Sequence, residues 1–128
     1  MSKQDWVSAV RRVDKPWGHE EIFAFVEGKF CGKAIHITAG HSLSLQYHEH
    51  KEETISVQSG RLKVEIGQDE SDLEEFELEA GESIHLVPLT RHRVTALEDT
   101  VMLEASTTQL TDVVRLEDRY GRQGTNAP

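Results

Sequence analysis

Apolar and polar residues along this chain trade places over short distances. Stretches of about 5–8 residues rich in Ile, Val, Leu, Phe and Thr alternate with glycines at turn-like positions (Gly28, Gly32, Gly40, Gly60, Gly67 and Gly81). The pattern predicts strands over 20–27, 33–38, 43–48, 54–58, 61–66, 73–79, 83–87, 92–96 and 101–106, while no segment keeps a helical period beyond a turn or two. Ser59-Gly60 reads as a tight hairpin turn, and the acidic run 68–75 as a solvated hairpin loop. Short strands with turn signals at this spacing predict an all-β antiparallel sandwich or barrel.

Length and charge narrow the picture. The chain has 128 residues, enough for one core that folds without disulfides. A net charge of -9 disfavours nucleic acid as a partner but leaves room for a small anion in a locally cationic pocket. Cys31 is the single cysteine, so neither a disulfide framework nor a thiolate zinc motif is available. The N-terminus lacks an apolar signal core, and no apolar run approaches the ~18 residues of a membrane span. The expectation is a cytoplasmic domain over 1–122, followed by a small, polar, disordered tail over 123–128.

The most informative stretch is Leu43-Ser44-Leu45-Gln46-Tyr47-His48-Glu49-His50. As a strand it sets Leu43, Leu45 and Tyr47 on one face and Ser44, Gln46, His48 and His50 on the other. Ordinary amphipathy would send the polar face to water. Glu53 close by and His92 far downstream offer another reading, because imidazole, carboxylate and amide oxygen together suit a divalent transition metal. Such an ion also gives imidazoles a reason to point into a barrel, where an unpaired polar group costs several kcal/mol.

The spacing of these residues resembles the cupins, small β-barrels with two signature blocks. Gly40, Gln46, His48, Glu53 and Gly60 fall on the first block if Gln46 takes the place of its first histidine; taking His48 and His50 as the pair leaves only Lys51 and Glu52 before Glu53, which is too short. Gly81 and His92 fit the second block, with Pro88 one position late, Leu89 in place of a glycine and Ala96 in place of its closing Asn. The chain is also similar to the isomerase domain of bifunctional mannose-6-phosphate isomerase/mannose-1-phosphate guanylyltransferases. Arg12-Val13-Asp14-Lys15-Pro16-Trp17-Gly18, Leu43 through His50, His92-Arg93 and Val114 through Arg122 carry that similarity.

The resemblance implies a single-domain cupin (a double-stranded β-helix, or jelly-roll barrel). It implies a metal held by Gln46, His48, Glu53 and His92, with Zn, Mn, Fe, Co and Ni all compatible with such ligands. It further implies aldose–ketose isomerisation of a small sugar phosphate, mannose 6-phosphate/fructose 6-phosphate by default. Lys33 and Arg122 are carried over as catalytic groups, although either also suits a surface position. Arg115 could clasp a phosphate bidentately or pair with Glu117 or Asp118. His50 is either a polar group beside the substrate or an exposed strand end. Exposed sheet edges in small barrels lead to the expectation of a homodimer. Ser42, Thr54 and Ile55 depart from the isomerase pattern, which usually has Arg, His and Trp there, and leave the substrate open. An oxygenase or lyase on the same scaffold, or a non-catalytic sugar-binding barrel, remains the alternative.

Overall fold

The computed structural model describes residues 1–125. A single turn of helix, α1 (Lys3–Trp6), precedes the strands β1 (Arg11–Lys15), β2 (Gly18–Val26), β3 (Phe30–Ile37), β4 (Leu45–Tyr47) and β5 (Glu53–Ser59). The chain continues through β6 (Arg61–Gly67), β7 (Glu74–Glu79), β8 (Ser83–Leu86), β9 (Arg91–Ala96), β10 (Thr100–Ser106) and β11 (Val114–Glu117). These build a six-stranded sheet, ordered β1-β2-β3-β10-β5-β8, and a five-stranded sheet, ordered β11-β4-β9-β6-β7. Every pairing is antiparallel. The expected all-β architecture is what forms, and among the described residues no helix is long and apolar enough to cross a membrane.

The core lies between the sheets because the strands alternate. Ile35 and Ile37 of β3, Ile55 and Val57 of β5 and Met102 of β10 meet Leu62 and Val64 of β6, Leu78 of β7 and Val94 and Ala96 of β9. Each large aliphatic side chain removed from water there contributes about 1.5–3 kcal/mol. The inward rows change character towards one end of the barrel. Lys33 precedes Ile35, Glu53 precedes Ile55, Glu104 follows Met102, and His92 precedes Val94, all of them buried. Period-2 geometry therefore delivers a charged cluster to one end of an otherwise greasy interior.

Three expectations need correction. Ser59-Gly60 is not a hairpin: β5 and β6 belong to different sheets, so the turn is a corner between layers. Gly60 is required there, with φ of 90° and so close an approach that a Cβ would meet the Thr100 hydroxyl at 2.4 Å. The strand expected over 43–48 shortens to β4, while Ser42 keeps only an isolated bridge to Thr95. Two edge strands, β1 and β11, went unpredicted: charge on both faces masks alternation in β1, and β11 is a four-residue strand interrupted by a bulge. The acidic loop does join β6 to β7 as a hairpin. Of the expected tail, Gly124 and Thr125 hydrogen-bond to Arg115, and 126–128 lie outside the described residues.

Candidate metal centre

Three strands, β4, β5 and β9, bring the donors together. Gln46 pairs with His92 across β4 and β9, His48 follows β4 by one residue, and Glu53 opens β5 in the opposite sheet. His48 Nε2 lies 3.6 Å and His92 Nε2 3.5 Å from the same oxygen, Glu53 Oε1. Donors bonded to one tetrahedral ion at 2.0–2.2 Å stand about 3.3–3.6 Å apart, so these separations suit a shared cation. His48, Glu53 and His92 are all buried.

Main-chain carbonyls orient both imidazoles. His48 Nδ1 meets the carbonyl of Asp112, and His92 Nδ1 meets the Thr90 carbonyl at 3.0 Å. A carbonyl only accepts, which assigns the proton to Nδ1 in each ring and leaves the Nε2 lone pair free to bind a metal. His92 Nε2 is buried without a hydrogen-bond partner. A lone pair aimed into a buried site beside a carboxylate is costly unless a cation receives it. The donor set therefore fits a divalent metal, with the Gln46 amide lining the same cavity.

Lys51 and Glu104 complete the electrostatics. Buried Lys51 extends its Nζ to Glu53 Oε2 at 3.0 Å and Glu104 Oε2 at 3.1 Å. Burial alone would lower the Lys51 pKa, but the two carboxylates overcome it and hold the ammonium above its ordinary value. Burial likewise works to raise Glu53, yet Lys51 and the two histidines keep it well below the usual carboxylate range. Glu104 moves the other way, raised first by burial and then by the nearby charge of Glu53. Asp112 organises the loop after β4. Its carboxylate accepts from the backbone N–H groups of Glu49, His50 and Lys51, which hold its pKa down against the effect of burial.

The cavity wall is cationic. Lys15, Lys33, Arg115 and Arg122 line it together with Glu20. Lys33 Nζ is 3.1 Å from Glu20 Oε1, and both side chains are buried. Buried Arg115 donates from Nη1 to Thr125 Oγ1 at 2.8 Å, an arrangement different from either carboxylate pairing considered above. Arg122 forms an ion pair with Asp118 at 3.0 Å. Desolvation lowers the Lys15 pKa, and the positive charges of Lys33, Arg115 and Arg122 push the same way against Glu20. Desolvation and Arg122 do the same to Arg115. Cations crowded together in this way favour a small anion.

The structure thus gathers Gln46, His48, Glu53, His92, Lys33, Arg115 and Arg122 around one cavity. His50 stands apart, exposed beyond β4, and contributes its backbone N–H to Asp112. Sequence reasoning passed over Lys15, Glu20, Lys51, Glu104 and Asp112. Alternation carried a signal for Glu104, an acid on the same strand face as Met102; Lys15 stood inside the quoted motif without a role. Among the departures, the Ser42 hydroxyl is buried and donates to the Val94 carbonyl, Thr54 faces outward against His85, and Ile55 lines the cavity.

The family description "Mannose-6-phosphate isomerase C-terminal" matches residues 2–118. The chain belongs to this family. Among solved structures it is similar to the capsular polysaccharide assembling protein CapF from Staphylococcus aureus, with a TM-score of 0.76 and 15% identity over 92% of this chain and 34% of that one. It also resembles KdgF from Halomonas sp., with a TM-score of 0.66 and 19% identity over 80% of this chain and 94% of that one. Oxalate decarboxylase from Bacillus subtilis gives a TM-score of 0.73 and 13% identity over 84% of this chain and 30% of that one. The chain thus spans about a third of the length of the CapF structures, and these likenesses establish the shared cupin fold alone. None of the curated protein sequences matches it.

Proposed function

We propose that this cupin is a metal-dependent aldose–ketose isomerase acting on a small sugar phosphate, with mannose 6-phosphate and fructose 6-phosphate as the default pair. One observation carries the reading: three buried metal-type donors share a cavity with the cationic wall of Lys15, Lys33, Arg115 and Arg122. Membership in the isomerase-type family supports it.

His48, Glu53, His92 and the Gln46 amide would hold the metal, which when bound supplies Lewis-acid polarisation of a sugar carbonyl. Arg115 and Lys15 receive the phosphate; the guanidinium fork fixes its orientation and the ammonium adds charge. Lys33 and Glu20, joined by their hydrogen bond, form the couple that takes the proton from the carbon beside the carbonyl and returns it to the former carbonyl carbon, while the hydroxyl proton passes to the former carbonyl oxygen. Arg122, which lines the same cavity, steadies the negative charge that gathers on oxygen as the proton leaves. The greasy interior behind Trp17 and Ile35 keeps bulk water from the reacting end of the sugar.

The test is a coupled isomerase assay on mannose 6-phosphate with added divalent metal, run beside deuterium wash-in at the sugar's second carbon. Turnover with wash-in, abolished in Lys33→Met and His92→Ala, is expected. Binding without exchange would replace the reading by a sugar-binding barrel. No binding and no turnover across sugar phosphates would point to different chemistry on the same metal scaffold.

A further inference from the structure

The outward face of the β2–β3 pair carries a second convergence of metal-type donors, remote in chemistry from the interior cluster. Ile35 and Ile37 point inward from β3, so His36 between them points out. His19 stands directly opposite His36 in the antiparallel register, and Glu21 follows His19 on the same face of β2. The two imidazoles stack, with centroids 4.3 Å apart and planes 10° from parallel. Both turn Nε2 towards one oxygen: Glu21 Oε1 is 3.0 Å from His19 and 3.3 Å from His36.

Two further features bear on this trio. A Cβ at Gly18 would stand 2.0 Å from the His36 carbonyl oxygen, so a glycine lets the start of β2 close on β3 and sets the two rings over one another. The rings also border a shallow depression that Asp99 lines, adding negative charge nearby. Side-chain exposures of 18% for His19, 36% for His36 and 40% for Glu21 leave the donors reachable from solvent yet partly ordered.

We propose that His19, Glu21 and His36 form a second divalent-cation site on the outside of the barrel. Two neutral imidazoles and one carboxylate suit a late first-row ion such as zinc, nickel or copper and suit calcium or magnesium poorly. The two Nε2–Oε1 separations approach the edges of a tetrahedron around such an ion, about 3.3 Å for bonds of 2.0–2.1 Å. Binding tilts the two partly exposed rings out of their parallel stack so that both in-plane lone pairs meet the ion. The ion ties β2 to β3 one strand in from the sheet edge at β1 and retains an open position for water or another ligand.

The experiment uses the full chain without an affinity tag, stripped with a chelator and titrated with zinc, with bound metal counted by elemental analysis after gel filtration. Two equivalents are expected for the wild type and one for His36→Ala and for Glu21→Gln. Glu21→Gln keeps size and shape, and circular dichroism checks that each variant is folded. Wild-type stoichiometry in both outer variants overturns the proposal, whether that number is one or two. Failure of the interior reading has its own signature: Glu53→Gln and His92→Ala then leave the count unchanged while His36→Ala lowers it, an outcome that upholds the outer site.

Discussion

Replacing Lys51 by methionine removes a single charge from between two buried carboxylates. The wild-type ammonium is 3.0 Å from Glu53 and 3.1 Å from Glu104, with all three side chains less than a tenth exposed. Removing one member of a buried ion pair costs about 3–5 kcal/mol, chiefly because the partner is left charged and dry. Here two partners are stranded, so the upper half of that range is expected for metal-free protein. For a chain of this length each kcal/mol moves Tm by roughly 4 °C, giving a drop of about 16–20 °C. Bound zinc would neutralise Glu53 from its other side and shrink the loss. The assay is urea unfolding of wild type, Lys51→Met, Glu104→Gln and the double variant, each stripped and zinc-loaded. Coupling of at least about 1 kcal/mol between positions 51 and 104 should appear in the stripped cycle. A loss below about 1 kcal/mol in stripped Lys51→Met, or strictly additive effects, would refute the argument that this ammonium holds the carboxylates together.

Other consequences can be checked as directly. His92→Ala and Gln46→Ala should each lower the interior metal content, which elemental analysis reads; full retention in both would move the ligand set elsewhere. Leu89 adopts φ of 72°, the one positive value at a non-glycine among the described residues, and its N–H donates to the His48 carbonyl at 2.7 Å. Relieving the left-handed strain is worth about 1–2 kcal/mol and the added freedom of the unfolded chain offsets under about 1, so Leu89→Gly should raise the urea midpoint modestly. Glu65 titrates below its ordinary value, chiefly through its hydrogen bond from Arg93. A depressed folded pKa contributes stability above the unfolded pKa, about 4.3, that is lost as pH falls through the folded value. Arg93→Met should therefore flatten the acid limb of a stability–pH profile measured by urea unfolding.

Sequence pattern conveyed the fold wherever one face of a strand was apolar. The rows Ile35–Ile37, Ile55–Val57 and Val94–Ala96 alternate cleanly, and their strands were found to within a few residues. At β1 alternation failed, since Arg-Arg-Val-Asp-Lys carries charge on both faces of an edge, whereas Val-Arg-Leu-Glu of β11 alternates but is only four residues long and broken by a bulge between Arg115 and Glu117. The spacing from Gly40 to Gly60 singled out Gln46, His48 and Glu53, and the structure brings them to one cavity with His92. Spacing cannot report partners chosen in three dimensions. Lys51 reaches Glu104, more than fifty residues away, and Asp112 caps a loop on the far side of the chain. The corner at Gly60 misled because a glycine turn looks alike whether its strands stay in one layer or cross to the other.

Both interior histidines are aimed by peptide oxygens, those of Thr90 and Asp112, rather than by another side chain. Every amino acid supplies such an oxygen. The tautomers can therefore survive replacement of Thr90, provided the local path of the chain is kept. This leaves the scaffold free to vary its reactivity: substitutions around the rim can recruit new substrates while the aim of the two rings is inherited unchanged.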